Sequence, residues 1–251
     1  MAGSTGTSAV SENPFSAHRI RPGVIPYLFS DTDDANDPAR LDQLIDSWRA
    51  SSYVGQIVGA HGCGKTTLAC SIARRAVENQ QLPFDGARSL TIRSTPLVQT
   101  DSALSWVTNL LRLRSANVTF GNSLIPDDRN ASLPVAHNSR STETILVIDG
   151  IERLTLLQQA VMFHSLKRLR VPTLFTTHHV SKTLPLLGGR CPVLFRACSD
   201  VRVFAKIVDL MTQPSQRLDR AVVENAFDSC RGNVREALMK LYDTFDSRKS
   251  D

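Results

Sequence analysis

A phosphate-binding pattern, GxxxxGK[ST], is matched by eight consecutive residues: Gly59, Ala60, His61, Gly62, Cys63, Gly64, Lys65 and Thr66. The glycines allow a backbone curl in which successive N–H groups point at one anion, and the N-terminus of a following helix adds partial positive charge. Lys65 would then reach the β- and γ-phosphates, and the Thr66 hydroxyl would hold Mg²⁺. With Thr67 added at the helix start, these residues predict a nucleoside triphosphate site.

The elements on either side of this loop fit the motif. A short apolar strand is predicted over residues 53–58, directly before it. An amphipathic helix is predicted over residues 67–77, with Leu68, Ile72 and Ala76 at helical spacing. Strand, glycine-rich loop and helix in this order are the context that the phosphate-binding motif requires.

A second group of candidate residues follows a run of β-branched and apolar residues, 144–149, that ends in Asp149. Such a run is typical of a strand buried on both faces of a parallel sheet. Asp149 would lie at the carboxyl edge of that sheet, near Mg²⁺ and its waters. Glu152 is the nearest acid that could orient an attacking water, although a carboxylate there could equally stabilise the first turn of a helix.

The next predicted strand, residues 172–177, ends in two hydroxyl side chains, Thr176 and Thr177. Either could touch the γ-phosphate or the water, and Thr177 is the predicted residue. Further strands are predicted at 89–94 and 192–197, and further helices at 97–111 and at 154–169. Another helix is predicted from residue 37 onward, and its apolar face consists of Leu41, Leu44, Ile45 and Trp48. Strands that alternate with helices predict an α/β fold, a parallel P-loop NTPase sheet sandwiched by helices.

The rest of the chain divides by composition. Residues 1–13 are small and polar and are predicted to be disordered. Residues 14–29 are interrupted by prolines yet rich in large apolar groups, so we expect them to pack along a core spanning 14–199. Residues 113–142 lose periodicity and are predicted to form a mobile insert. From residue 200 to 251 the pattern is helical only, at 200–212, 217–230 and 232–246, which predicts a small helical appendage on the core.

The order of these motifs resembles that of the AAA+ ATPases. The tail segment Gly232-Asn233-Val234-Arg235-Glu236-Ala237-Leu238 is similar to the lid of replication initiators and clamp loaders. The resemblance implies that Arg235 reaches the γ-phosphate from the lid. It also implies that Arg190, in Leu187-Gly188-Gly189-Arg190, acts as an arginine finger on a neighbour's nucleotide, and hence that the protein forms a homo-oligomer or binds a protein partner.

One departure from the family pattern affects the predicted activity. AAA+ enzymes usually carry Glu directly after the strand-ending Asp, whereas this chain has Gly150. Either Glu152 substitutes, or hydrolysis is slow and the protein is a nucleotide-gated switch. The predicted function is an ATPase that couples Mg-ATP binding and hydrolysis to conformational change and to remodelling or recruitment of a partner.

The alternatives are a non-catalytic, nucleotide-dependent protein- or DNA-binding switch and a P-loop small-molecule kinase. A GTPase is disfavoured because the chain lacks the DxxG and NKxD motifs in the required places. An ABC subunit is disfavoured because no LSGGQ motif precedes Asp149.

Composition limits the remaining classes. The net charge of +5 permits an acidic partner such as DNA but does not require one. No apolar run approaches the ~20 residues of a membrane span, and no signal peptide is visible at Met1, so we expect a cytoplasmic protein without membrane contact.

Five cysteines without a CxxC pair disfavour both a disulfide framework and a zinc ribbon. Cys63 lies inside the phosphate loop. Neighbouring amides and Lys65 could depress its pKa there and make it sensitive to oxidation, or it could simply be a small loop residue.

Overall fold

The computed structural model describes residues 13–30, 37–79, 90–96, 143–180 and 191–247. Within these ranges the chain builds a five-stranded sheet with the spatial order β2-β3-β4-β1-β5, in which every pair of neighbouring strands is parallel. The strands are β1 Val54–Gly59, β2 Leu90–Pro96, β3 Glu143–Asp149, β4 Thr173–Thr177 and β5 Val193–Ala197. The predicted α/β class is confirmed.

Six α-helices accompany the sheet in the described ranges: α1 Pro38–Ala50, α2 Lys65–Glu78, α3 Leu156–Leu169, α4 Val201–Met211, α5 Arg220–Ser229 and α6 Val234–Ser247. Short 3-10 helices lie at Ile151–Arg153 and Pro214–Gln216. These bounds agree with the predicted elements to within a few residues. The predicted helix at 97–111, the insert at 113–142 and Arg190 fall outside the described residues. In the part of the chain that is described, every helix is too short or too polar to cross a bilayer.

Helix α1 begins where its local chemistry dictates. The Asp37 carboxylate accepts a hydrogen bond from Arg40 N at 3.1 Å, and Pro38 occupies the first helical position, where a missing N–H costs nothing. The predicted apolar face is buried in full, and its largest member, Trp48, donates its Nε1–H to the carbonyl of Thr173 at 3.1 Å. This bond joins α1 to the start of β4.

The two faces of the sheet are covered by different helices. On one face α1 and α2 close a core with residues of β1, β3 and β4, and Ile45, Leu68 and Ile72 are fully buried there. On the other face α3 packs Met162, Phe163 and Leu166 against the opposite side of the same strands. Because β3 is buried on both faces, residues 145–148 form a continuous apolar run rather than an alternating pattern.

The three C-terminal helices form a separate apolar cluster, built around Phe204, Phe227 and Leu241. Phe15 from the N-terminal segment is part of this cluster; it is 1% exposed and makes an edge contact with Phe245, with ring centroids 6.3 Å apart. The side chain of Asn13 donates to the carbonyl of Tyr242 at 3.1 Å. Asn13, the last residue of the segment predicted to be disordered, is therefore buried, whereas residues 1–12 lie outside the described residues.

The same N-terminal segment then crosses to the sheet. Its backbone accepts a hydrogen bond at the carbonyl of Gly23 from Arg74 of α2, at 2.9 Å. Tyr27 and Phe29 pack edge-to-face with each other and with Phe195 of β5. The prediction that residues 14–29 pack along the core is therefore correct for Tyr27 and Phe29, whereas Phe15 packs with the C-terminal helices instead.

We predict that Phe15→Ala destabilises the protein by about 3–5 kcal/mol, because it removes a buried ring and leaves a cavity among the C-terminal helices. The measurement is urea unfolding followed by circular dichroism. Val24→Ala is the matched control, since Val24 lies in the same segment and is 52% exposed. An equal and small effect for both variants would contradict the packing of Phe15 described above.

Candidate functional site

The loop between β1 and α2 has the backbone that a phosphate cradle requires. Gly62 and Gly64 have φ angles of +74° and +83°, a conformation that residues with a side chain rarely adopt. A Cβ on Gly59 would lie 2.3 Å from the carbonyl oxygen of Ala197, so β5 also requires glycine at that position. The N-terminus of α2 carries no side-chain cap, which leaves its first N–H groups directed at the loop.

Lys65 is nearly buried, at 7% exposure. Its ammonium donates to the carbonyls of Gly59 and Ala60, at 2.9 and 2.7 Å. Both acceptors belong to the loop itself and neither carries a formal charge. Because an ammonium group has three donors, one donor and the whole positive charge are available to an anion in the loop.

Asp149 ends β3, two strands away from the loop in the sheet. Its Oδ1 accepts a hydrogen bond from the hydroxyl of Thr176, which is fully buried at the end of β4. The N–H of Gly150 donates to the carbonyl of Thr176 at 3.0 Å. Gly150 has a φ of +80°, so a glutamate at this position would be strained. The local backbone is therefore of a kind that favours glycine over glutamate at position 150.

Thr177 and Thr176 differ in what their hydroxyl groups contact. The hydroxyl of Thr177 donates to the carbonyl of His179 at 2.6 Å and closes the turn after β4. The hydroxyl of Thr176 is hydrogen-bonded to Asp149 instead, whereas a contact of Thr177 with the γ-phosphate or the water stays a prediction. The sequence did not reveal this because the alternation of a strand buried on both faces does not show which side chain faces Asp149.

Glu152 lies in the short helix after β3, with its Oε1 3.5 Å from Nε2 of His178. Burial lowers the pKa of His178, and the charge of Lys65 acts in the same direction while Glu152 opposes both. The imidazole is therefore neutral at pH 7. The ring of His61, from the loop, stacks on it with centroids 5.4 Å apart. His178, to which no motif pointed, thus lies beside Glu152 and stacks on His61 of the phosphate loop.

The thiol of Cys63 does not have the lowered pKa that its place in the loop and the nearby Lys65 made possible. Burial raises the pKa of its thiol, and the nearby charge of Lys65 offsets this only in part. The thiol also donates to the carbonyl of Ala60 at 3.0 Å. The expectation of a depressed pKa is wrong because desolvation outweighs the attraction of Lys65. Cys63 packs as a small buried residue beneath the loop.

The C-terminal helices approach the loop at the start of α6. Asn233 precedes that helix, and a Cβ built on Gly62 would lie 1.8 Å from its Oδ1. Arg235 follows two residues later, is exposed, and lines the same cavity as Lys65. Among the residues that the structure describes, its guanidinium makes no hydrogen bond or ion pair.

A cavity of about 580 Å³ joins these parts. The predicted groups that line it are His61, Gly62, Cys63, Gly64, Lys65, Thr66, Thr67, Asp149, Glu152 and Arg235. Residues of the N-terminal segment and of the C-terminal helices line it as well, among them Ile20, Tyr27 and Leu238. This volume is within the ~300–1,000 Å³ usual for small-molecule sites. The lining therefore offers both charged and apolar groups to a ligand.

The fold of this chain is similar to that of solved structures. The Aeropyrum pernix ORC2 protein in its ADP form aligns with a TM-score of 0.61 and 12% identity, over 94% of this chain and 67% of that chain. The ADPNP–ADP complexes of the same protein align with a TM-score of 0.54 and 12% identity, over 92% and 66%. The chain thus spans about two thirds of the length of that protein. At this identity the likeness concerns the fold alone.

Sequence comparison bears on the family. A search of curated proteins gave no match. A family model described as an AAA domain matches residues 21–174, which is more than half of the chain and includes the phosphate loop, Lys65 and Asp149. The chain therefore belongs to the AAA+ family of P-loop ATPases.

Proposed function

We propose that the protein binds ATP with Mg²⁺, hydrolyses it, and uses the difference between the ATP and ADP states to move its C-terminal helices, residues 200–251, as a lid on the core, residues 14–199. The observation that carries this proposal is the buried ammonium of Lys65, which has two carbonyl acceptors in a loop with two left-handed glycines. A triphosphate supplies the negative charge that this arrangement lacks.

The residues present fit Mg²⁺ as well as ATP. Thr66 and Asp149 line one cavity, and hydroxyl and carboxylate oxygens are the ligands that this hard cation prefers. Thr176 holds Asp149 by its Oδ1, which fixes the carboxylate at the sheet edge. When bound, the metal would neutralise charge that develops on the phosphates.

Glu152 is our candidate for orienting and activating the attacking water. It is the acid nearest to Asp149 in sequence, lines the same cavity, and lies beside the neutral imidazole of His178. A glutamate at position 150 would be strained by the positive φ of that residue. The next carboxylate along the chain is that of Glu152, in the short helix Ile151–Arg153. We propose that Thr177 contacts the γ-phosphate or the water through its backbone amide, because its hydroxyl is hydrogen-bonded to the carbonyl of His179.

Arg235 is our candidate for reading the γ-phosphate. It lies in the first turn of α6, where a cation is unfavourable because the helix N-terminus is itself partly positive. A phosphate between Arg235 and the loop relieves this repulsion, and ADP offers one phosphate fewer. The lid would therefore close more firmly on ATP.

The partners remain proposals too. By the family resemblance, Arg190 would act on the nucleotide of a neighbouring copy, which makes self-association on ATP the first partner to expect. The net charge of +5 is compatible with DNA as a further partner.

A specific observation also supports a second candidate, a switch that binds ATP and hydrolyses it very slowly. The backbone at Gly150 excludes the family's usual glutamate, and Glu152 is partly exposed, with 32% of its side chain accessible. An exposed carboxylate is a weaker base than a desolvated one. Steady-state ATPase assays with and without DNA distinguish the two candidates.

We predict that Lys65→Ala lowers the affinity for ATP·Mg by about a hundredfold or more, since charge-assisted hydrogen bonds to phosphate are lost. Calorimetric titration of the folded variant measures this. Lys240→Ala is the control, because Lys240 lies on α6 and its ammonium bonds to Ser229, away from the loop. Retained affinity in Lys65→Ala would remove the proposed role of the loop.

We predict that Glu152→Gln binds ATP normally and hydrolyses it more slowly by one or more orders of magnitude, because water activation contributes only in the transition state. Asp149→Asn should instead weaken Mg²⁺-dependent binding. Glu224→Gln, which removes a lid carboxylate paired with Arg220, is the control.

The measurement is steady-state phosphate release together with nucleotide affinity. Unchanged turnover in Glu152→Gln would assign Glu152 to stabilising the helix start. A wild type that binds ATP without turnover would favour the switch.

A further inference from the structure

The C-terminal helices contact the phosphate loop where Asn233 lies against Gly62. The space that a side chain on Gly62 would fill is occupied by the amide oxygen of Asn233, 1.8 Å from the ideal Cβ position. The motif GxxxxGK[ST] leaves position 62 open to any residue, so the motif alone does not require glycine there. In this chain the position of Asn233 gives a reason for glycine at position 62.

The position of Asn233 is fixed by its own backbone. The connection from α5 to α6 turns through two left-handed residues, Arg231 at φ +52° and Gly232 at φ +78°. Gly232 N donates to the carbonyl of Phe227, and Asn233 N donates to that of Cys230. The side-chain Oδ1 of Asn233 accepts a hydrogen bond from Glu236 N at 3.3 Å and so caps α6. Rotation of this side chain away from the loop would therefore break the cap of α6.

We propose that Asn233 is a positioning residue for nucleotide selectivity: by resting on Gly62 it holds the N-terminus of α6 against the phosphate loop and thereby sets where Arg235 meets the γ-phosphate. This inference rests on the proposed ATP function and adds a residue to it. Arg235 follows Asn233 by two positions on a capped helix, so a shift of the helix start moves the guanidinium with it.

The contact also brings two helix N-termini together. Helix α2 begins at Lys65, three residues after Gly62, and α6 begins at Val234, directly after Asn233. Each N-terminus carries partial positive charge, so in the absence of an anion their approach is unfavourable. A phosphate chain held between them reverses the sign of this interaction. Asn233 brings the two ends into contact through a neutral side chain, which adds no charge of its own.

A role in capping alone makes a different prediction from a role in positioning. Serine caps a helix about as well as asparagine, but its side chain is one bond shorter and lacks the amide that lies against Gly62. Asn233→Ser should therefore preserve stability in thermal unfolding. In calorimetric titration, however, it should reduce the preference for the ATP analogue ADPNP over ADP by roughly threefold to tenfold, the worth of one neutral polar contact.

The matched control exchanges the cap of the neighbouring lid helix. Asp219 caps α5 through a hydrogen bond from Ala221 N at 2.9 Å and is exposed, with no loop contact. Asp219→Ser should leave the preference unchanged. A double-mutant cycle then tests the mechanism. If Asn233 acts through Arg235, Asn233→Ser should change the preference less than twofold once Arg235→Ala is present.

The outcomes separate this inference from the function on which it rests. A wild type that binds neither ADPNP nor ADP overturns the proposed function and this inference with it. A wild type whose preference is narrowed by Arg235→Ala but not by Asn233→Ser overturns the inference alone. Additive effects of the two substitutions also overturn it, because they would mean that Asn233 does not act through Arg235. The inference is supported if Asn233→Ser lowers the preference for ADPNP over ADP without changing the thermal stability, and if the double-mutant cycle with Arg235→Ala is non-additive.

Discussion

The buried positive charge of Lys65 constrains the rest of the site. An ammonium group removed from water must be compensated, and here two loop carbonyls compensate it only as dipoles. The loop must keep those carbonyls turned inward, which requires left-handed backbone at Gly62 and Gly64. Strand β1, which leads into the loop, lies between β4 and β5 in the sheet, so the loop begins between the ends of these two strands. The burial of the Lys65 ammonium therefore couples the geometry of the loop to its affinity for an anion.

The sheet order explains how the second acid reaches this loop. In a parallel sheet all carboxyl ends lie at one edge, so the ends of β1, β4 and β3 lie side by side. Thr176, at the end of the strand between them, bonds to Asp149 through its hydroxyl and to Gly150 through its carbonyl, which fixes the end of β3 against β4. The chain then turns through Gly150 at φ +80°, a conformation that a glutamate would adopt only with strain.

Much of this arrangement could be predicted from local pattern. The phosphate loop, the buried strand before Asp149 and the apolar face of α1 are recorded in residue type and spacing, and each was predicted correctly. The strand order was not, because it depends on contacts between distant segments. Thr176 could not be distinguished from Thr177 because both are buried. The pair of His61 and His178 escaped notice because stacking across two loops leaves no spacing signal, and the pKa of Cys63 depended on burial that no motif encodes.

The N-terminal segment gives the lid a second attachment to the core. Phe15 is buried among the lid helices, whereas Tyr27, twelve residues later, lies where a Cβ on Gly64 would be 3.2 Å from its ring. The lid thus contacts the phosphate loop directly through Asn233 and indirectly through this segment. If ATP moves the C-terminal helices as proposed, the movement must either carry this segment with it or break the packing of Phe15. Because that packing is worth about 3–5 kcal/mol, small rotations that keep Phe15 buried cost less than full opening, and we propose that one phosphate contact drives a movement of this smaller kind.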